Sequence, residues 1–526
     1  MKKLAFKEKA RDALLEGAKL LADAVVTTLG PKGRNVAIQR QWGSPIVVHD
    51  GVTVAREVEY AKPLIKMGID LIRDAASKTN EEAGDGTTTA TLLAYEIVAN
   101  GLKLVKEGMN PMVLRSQIYK ALPIVLKELK KKSSPVSNTS DIAKVATISS
   151  ADPFIGELVS KAMKKVGQDG LVTVEEGKGL ETYLDYTDGV EFKQGWISPF
   201  FITNPGRNES VIHNPVVAIL EKKLTLSNEI VPMIQAMANI SKDIVIIADD
   251  VAGDALGTLV NSKMRGQINA VAVKPPSSAD KLQRMEDLAV LVGAKVIKAS
   301  DRINFANDQS FFGHAEKVIV SRRTTIIIGG KGEKADIEAR LQALRDQRDL
   351  EESNFEKEKL EERLARMTRG VAVIRVGAKT EVEMREKLER AKDAVGAAQS
   401  AQAEGIVAGG GTIFLQMAKV LKGIDEGETL LKQILEAPVR RLMLNGGENT
   451  DFINKTVSSL AQGDGKTGYE MMSGKVVNLI DEGIIDPTKV VRLALENAIS
   501  IGTQIITTDC LIAHDFSEDI KNGPKR

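Results

Sequence analysis

The sequence predicts a multidomain protein of α and α/β class, in which a helical domain built from both ends of the chain receives an inserted α/β domain. Three observations carry this prediction. Apolar residues in the first third recur at helical spacing; short β-branched runs separated by helical segments fill the middle; and the last third returns to helix. The 526 residues correspond to roughly three to four domains.

The elements follow in order. Leu14, Ala18, Leu21 and Val25 repeat on one helical face, with Arg11, Glu16, Lys19 and Asp23 on the others. The pattern stops at Leu29-Gly30-Pro31-Lys32-Gly33, a strong breaker cluster. Ile46-Val47-Val48 reads as a short strand ending in a turn at Asp50-Gly51. Helix then resumes, breaks at Ala83-Gly84-Asp85-Gly86, and restarts at Thr87-Thr88-Thr89-Ala90-Thr91. Between about residues 190 and 330, the runs Val216 to Leu220, Ile244 to Ala248, Ala270 to Val273 and Lys317 to Val320 read as buried strands of an α/β domain. The charged stretch from Ala335 to Arg369 reads as a solvated helical hairpin. Ile337, Leu341 and Leu344 form the thin apolar seam of one arm, and Leu360, Leu364 and Met367 that of the other. Val371 to Gly377 is a strand, and the final helical third is interrupted by Ala408-Gly409-Gly410-Gly411.

Composition removes several function classes. Hydrophobic residues make up 43% and charged residues 27%, an ordinary globular balance. Lys+Arg is 72 against Asp+Glu 71, so composition offers no case for binding nucleic acid or a membrane surface. A single cysteine, Cys510, excludes an internal disulfide framework, and four scattered histidines without H-E-x-x-H argue against a histidine metal site. No apolar run approaches the roughly 18 residues of a membrane span. Met1-Lys2-Lys3 is followed by the charged Phe6-Lys7-Glu8-Lys9 rather than an apolar signal segment, and a cytoplasmic protein is expected. Aromatics are only 4%, so the core rests on Ala, Val, Ile and Leu.

Several motifs can carry chemistry. Gly465-Lys466-Thr467 fails as a phosphate-binding P-loop because position 460 is Leu rather than the required Gly, and reads as a turn. In Gly84-Asp85-Gly86-Thr87-Thr88-Thr89 the glycines allow close backbone approach and the hydroxyls open a helix, which suits phosphate. Asp85 is a hard oxygen ligand of the kind Mg²⁺ takes; the same residues also read as an N-capped helix. Asp50-Gly51 reads either as a hairpin turn or as a carboxylate presented by one. Ala408 to Gly411 reads as a flexible joint or as a backbone surface for a flat ring, and Asp486-Pro487 as an N-cap with proline in the first turn. Trp196-Ile197-Ser198-Pro199-Phe200-Phe201 is the densest aromatic cluster, read as core packing or as an exposed apolar patch.

Taken together, Thr28-Leu29-Gly30-Pro31-Lys32-Gly33-Arg34-Asn35, Asp50-Gly51-Val52-Thr53-Val54-Ala55-Arg56-Glu57, Ala83 to Thr91, Gly405 to Gly411 and Asp486 to Val490 occur in an order that closely resembles the group I chaperonins, the GroEL type. The resemblance is colinear from about residue 4 to about 515. It implies an ATP-driven chaperone that encloses non-native proteins in a ring cavity. The implied domains are an equatorial ATP-binding domain (1–131 and 404–526), an intermediate hinge domain (132–187 and 371–403) with hinge points near Gly189 and Gly370, and an apical domain (188–370). Implied partners are further copies of the chain in a seven-membered ring, usually two rings stacked, a GroES-type co-chaperonin and non-native polypeptides. Neither nucleic acid nor membrane is among them. Implied cofactors are ATP, Mg²⁺ and K⁺.

Residue by residue, the resemblance implies ATP contacts at Thr28, Leu29, Gly30, Pro31, His49, Asp85, Gly86, Thr87, Thr88, Thr89, Gly410, Ile484 and Asp486, with Asp85 holding the metal. Asp50 and Asp393 are the implied hydrolytic carboxylates, Asp393 being brought in by the hinge domain. Trp196, Ser198, Phe200, Phe201, Val231, Ile234, Leu256 and Val260 are the implied client and lid surface. The chain departs from the family pattern at His49 (usually Lys), Gln194 (usually an Arg pairing with the position of Glu381), Asn261 (usually apolar), Arg369 (usually Gly), Asn449 (usually a Glu facing Arg440 between rings) and Glu470-Met471-Met472 (usually Asn-Ala-Ala). These departures keep open a second expectation, a divergent assembling paralogue acting as a holdase or scaffold with weak ATP turnover. A small-molecule phosphotransferase is disfavoured because no kinase or P-loop signature set is present.

Overall fold

The structure, a computed structural model, describes residues 2–514 except 40–44, 49, 168, 169, 178, 206, 277–279, 302, 304, 306, 307, 352 and 369. The expectations for His49 and Arg369 lie outside the described residues. The chain forms two compact units. One comprises Met1–Lys164, Val174–Tyr183 and Ile374–Arg526, the other Lys165–Thr173 and Leu184–Val373. The residues expected in a hinge domain, 132–187 and 371–403, fall mostly in the first unit.

The first unit is helical and draws on both ends of the sequence. Helices Lys7–Val26, Pro63–Ala83, Thr87–Lys106, Pro111–Lys132 and Thr488–Thr507 share one core. The seam read from sequence, Leu14, Ala18, Leu21 and Val25, is completely buried, packed among Ile69, Leu93, Ile97, Leu495 and Ile499. Removing a leucine from such a core costs about 2–5 kcal/mol. Strands Lys2–Phe6 and Cys510–His514 pair antiparallel, Leu4 opposite Ile512, and so join the first described residues to the last. A satellite core of Val145, Ala397, Ala401, Ile406 and Ile485 joins helices Thr139–Ser150 and Glu381–Glu404 to the short strands Ile406–Ala408 and Ile485–Pro487. The second of these helices buries Ala391, Ala394, Ala397, Ala398 and Ala401, small residues that let it approach its neighbours closely.

The second unit is α/β. Strands Val216–Leu224, Asp243–Val251 and Asn269–Val273 run parallel, each pair separated in sequence by a helix, Ser227–Ile240 or Gly253–Met264. Val216 to Leu220 are almost wholly buried on both faces, which is why that run lacks alternation. Antiparallel strands Gly313–Val320, Thr325–Gly330 and the end of Tyr183–Phe192 extend the sheet. The charged hairpin forms as read, with helices Lys334–Leu350 and Asn354–Thr368 and with Leu344, Leu364 and Met367 buried. Sequence reading missed its anchor. Arg363 grips Asp287 of helix Lys281–Val292 at 2.8 and 2.9 Å, and Arg340 donates to the same carboxylate at 2.8 Å. Among the described residues no helix is long and apolar enough to cross a membrane.

Candidate functional site

In the first unit the motifs read along the sequence converge on the turn Ala83-Gly84-Asp85-Gly86. Gly84 ends helix Pro63–Ala83 at φ 74° and Gly86 starts helix Thr87–Lys106 at φ 87°, so two left-handed residues flank Asp85. Because Gly86 caps the second helix, its leading N–H groups have no capping side chain from the N-cap residue. At that end the Thr87 hydroxyl is buried without a hydrogen-bond partner among the described residues. Orphan donors at a helix N-terminus attract anions, and a phosphate would satisfy both features at once.

Asp50 is the N-cap of helix Gly51–Glu57 rather than part of a hairpin turn. Its carboxylate accepts from Val52 N at 3.0 Å, Thr53 N at 2.8 Å and Thr53 Oγ1 at 2.8 Å. A Cβ on Gly51 would collide with Thr88 Oγ1 and would lie 3.5 Å from Thr28 Oγ1, so the first three motifs touch. Thr28 is buried, its hydroxyl donating to Val25 O at 2.8 Å. Leu29 packs against Ala22, Val26 and Leu92, Gly30 rests on the Leu442 side chain, and Pro31 is exposed. Asn445 donates to Val26 O and Leu29 O at 3.0 Å each, securing the carbonyls at the end of the first long helix. Nothing in the sequence pattern marked Leu442 or Asn445.

Asp486 lies in a short strand opposite Val407, not at a helix cap; the cap of the helix that follows is Pro487. A Cβ on Gly409 would lie 3.1 Å from Asp486 Oδ1, and Gly409 N donates to Ile484 O at 3.0 Å. At Gly410, φ 58°, a Cβ would meet only ordinary van der Waals contacts, at 3.7 Å from Leu479 and 3.8 Å from Tyr469, so the left-handed backbone rather than crowding favours glycine there. Burial first, and then the charge of Asp85, push the Asp486 carboxyl up to about 7. Asp85 is itself raised, mainly by burial and partly by Asp50, against the hydrogen bonds from Ser149 and Gly86 that stabilise its charge. Asp85 is thus set against Asp50 on one side and Asp486 on the other, a repulsion that a cation would relieve. Among the described residues no three of His, Cys, Asp and Glu gather as a metal site alone, so a metal here would also need ligands from elsewhere.

The helix bearing Asp393 reaches the same turn. A Cβ on Gly84 would lie 2.5 Å from Gly396 Cα, and Ser400 Oγ donates to Ala83 O at 2.7 Å. Asp393 is one turn before Gly396, at the i, i+3 spacing that shares a face. Ser149, from helix Thr139–Ser150, donates to Asp85 Oδ2 at 2.7 Å. Sequence reading missed Gly396, Ser400 and Ser149. Gly396 alone carried a signal, a glycine within an alanine-rich helix.

The apolar segment of the second unit divides. Phe200 is 62% exposed, but Phe201 is fully buried and Ser198 and Ile234 nearly so; these three are corrected from surface to interior. Trp196, Val231, Leu256 and Val260 are partly buried against the unit's core. Pro199–Phe201 is a single 3₁₀ turn, with three residues per turn, so the neighbouring rings leave the backbone in different directions. Lys263 anchors that turn, donating to Phe201 O at 2.6 Å and Ala270 O at 3.1 Å; burial lowers its pKa to about 8. Met264, 70% exposed, lies at the end of the Gly253–Met264 helix that also carries Leu256 and Val260 and was missed in sequence.

Three further positions singled out in the sequence find local explanations. Gly465-Lys466-Thr467 is a turn closed by Asp464, which accepts from Lys466 N and Thr467 N. Asn449 caps helix Thr450–Gln462 by accepting from Phe452 N at 2.9 Å. Arg440 is held by Glu436 and Asn454 of its own chain.

Comparison with known proteins agrees with this architecture. Residues 21–515 match the family model described as the TCP-1/cpn60 chaperonin family. Crystal structures of the chaperonin gp146 from the bacteriophage EL 2 (Pseudomonas aeruginosa), determined in the presence of ATP-BeFx in two crystal forms, are similar in fold. They have TM-scores of 0.66 and 0.60 and 20% identity, over 97% of this chain and 99% of that one. With the match covering nearly its whole length, the chain belongs to the TCP-1/cpn60 chaperonin family.

Proposed function

We propose that this protein is an ATP-dependent chaperonin that encloses non-native polypeptides in a ring cavity, with ATP hydrolysis driving the cycle. The observation that carries the reading is the start of helix Thr87–Lys106, where an uncapped N-terminus and the orphan buried hydroxyl of Thr87 meet a converging set of acids. Those groups fit a nucleotide phosphate accompanied by a divalent cation. Asp85 would hold Mg²⁺ together with phosphate oxygens, and the bound ion would neutralise phosphate charge. The backbone of Gly86 to Thr89 would cradle the phosphates, Thr28 to Pro31 would flank them, and Gly410, Ile484 and Asp486 would face the nucleoside. The phage chaperonin's crystallisation with ATP-BeFx is consistent with a nucleotide site in this fold.

Hydrolysis is assigned to Asp393 and Asp50, a carboxylate near the reacting phosphate being able to orient water and accept its proton. Segments 132–187 and 371–403 serve as the hinge domain, and 188–370 as the apical domain. In this reading the protein works in the cytoplasm as a seven-membered ring, usually doubled, under a GroES-type lid, with K⁺ assisting at the nucleotide. Phe200, with Trp196, Val231, Leu256 and Val260 around it, is the client-facing surface, and hydrophobic attraction of this kind needs no client sequence.

One observation favours the second reading, an assembling holdase with weak turnover. The Asp50 carboxylate is already engaged by three donors as a helix cap. ATP turnover of wild type and Asp393→Ala, with particle mass measured on the same samples, separates the two. Turnover by ring-sized wild-type particles, with a variant that binds ATP but is slowed about 10²-fold or more, supports the chaperonin ATPase. Rings whose turnover does not exceed that of the variant support the holdase.

A further inference from the structure

We infer that Lys263 is the positioning residue of the client-facing surface, a side-chain tie that holds the aromatic turn against helix Gly253–Met264 and whose strength follows pH. The inference rests on the reading of that surface given above. The surface has two parts, the turn Pro199–Phe201 bearing Phe200 and the helix bearing Leu256, Val260 and Met264. Lys263 belongs to the helix and reaches the turn. Its Nζ donates to Phe201 O at 2.6 Å and to Ala270 O at 3.1 Å, and lies 5.9 Å from the centre of the Phe201 ring. Ala270 sits in strand Asn269–Val273, which ends the described strand order of its sheet. Asn269 N donates to Lys242 O on the side of the neighbouring strand, and alternate residues direct their backbone groups to opposite edges. The carbonyls of Ala270 and Ala272 therefore face the open edge and need donors from outside the sheet. Ile197 N supplies one, at 3.0 Å from Ala272 O, and Lys263 supplies the other.

Phe200 thus lies between two ties. The one before it is a main-chain bond and does not titrate. The one after it depends on a single amine. Of the elements packed around that amine, turn Pro199–Phe201 and strand Asn269–Val273 carry no ionisable side chain. Its own helix carries Asp254 in the first turn, with exposed Arg265 just beyond its end. Helix Ser227–Ile240 carries Glu229, whose carboxylate accepts from Thr225 N and Leu226 N. Burial is therefore the influence left on Lys263, and it lowers the amine from 10.5 to about 8. A neutral amine has two N–H groups, one for each carbonyl, whereas the ammonium carries a third. The tied amine holds its proton less well than an untied one. The tie is weakest below pH about 8 and strengthens as pH rises from about 8 towards about 10.5. Holding turn and helix in one arrangement raises affinity for a client, because less order has to be imposed on binding.

The test uses the full-length protein and measures hydrogen exchange in segment 196–203, corrected for the intrinsic rate, at pH about 7 and about 9. Strand 216–224 serves as the control for folding. Wild type, Lys263→Met, Lys263→Arg and Phe200→Ala are compared, and capture of a fluorescently labelled, reduced and carboxymethylated α-lactalbumin is followed on the same samples. In wild type, protection of segment 196–203 should rise roughly tenfold between the two pH values. Lys263→Met should lower that protection about tenfold at the higher pH and weaken capture several-fold, with strand 216–224 unchanged. Lys263→Arg keeps donors but never loses its charge, so its protection should not change with pH. Equal protection in wild type and Lys263→Met overturns the inference. So does wild-type protection that stays constant or falls as pH rises. Wild type that captures the labelled protein no better than Phe200→Ala counts against the client reading instead, and the exchange data still judge the tie.

Discussion

The turn around Asp85 and the aromatic segment around Phe200 were both prominent in the sequence, yet they fared differently in three dimensions. At the turn, sequence reading and structure agree on a glycine-flanked break between two helices. At the aromatic segment half of the expected surface is interior. The difference lies in what each motif depends on. The turn is a property of the backbone: left-handed glycines and an uncapped helix start follow from local residue types. Exposure of a phenylalanine is a property of everything packed around it. Phe200 and Phe201 are adjacent and chemically identical, yet one is 62% exposed and the other 0%.

The strongest way to sharpen that contrast is to truncate the two rings separately. Phe201→Ala should destabilise the protein by about 3–5 kcal/mol, the usual cost of emptying a buried aromatic site. Phe200→Ala should change stability by less than about 0.5 kcal/mol while weakening capture of an unfolded model protein. Urea denaturation and a client-aggregation assay on the same samples would decide. Equal stability losses in the two variants would mean that the second unit does not separate them as described.

At the turn, Gly84→Ala combines a strained left-handed residue with a Cβ lying 2.5 Å from Gly396 Cα. A destabilisation of about 2–4 kcal/mol is expected from strain and overpacking together. Denaturant titration checks it. A loss below 1 kcal/mol would show that helix Glu381–Glu404 is not tightly seated on the turn.

A smaller effect concerns pH. Asp486 is raised from the ordinary aspartate value near 4 to about 7 by burial and by Asp85. The folded state therefore holds the proton more tightly than the unfolded chain. Stability from this group is fully present below pH about 4 and is lost as pH rises through about 7. In nucleotide-free protein, Asp486→Asn should remove that slope and gain on the order of 1–3 kcal/mol over wild type at pH 8. Denaturation at pH 5.5 and pH 8 measures it. A wild type whose stability does not fall across that interval would contradict the burial of Asp486 beside Asp85.

Much of the fold was legible in the amino-acid order. The Leu14, Ala18, Leu21 and Val25 seam, the buried Val216 to Leu220 strand and the charged hairpin each announce their structure through spacing alone. The phosphate-type turn was legible because glycine and threonine bear directly on backbone and helix-start geometry. Asp50 and Asp486 were misread locally, as a hairpin turn and a helix cap. Both roles hinge on which element follows, and a dipeptide does not carry that information. Ser149, Ser400 and Asn445 left no trace, since single hydroxyls and amides carry no periodicity.

The sequence by itself determined the order of helical and α/β segments, the positions where the backbone must break, and the family to which those breaks belong. Only the tertiary structure decided which ring of Phe200 and Phe201 meets solvent. It also decided that Arg363 anchors the hairpin to Asp287, and that Ser149, Asn445 and Gly396 reach the turn and loop they support. The reason is physical. Local residue types govern dihedral angles and periodic burial over a few residues, whereas exposure and long-range hydrogen bonds arise from segments that meet only when the whole chain has packed.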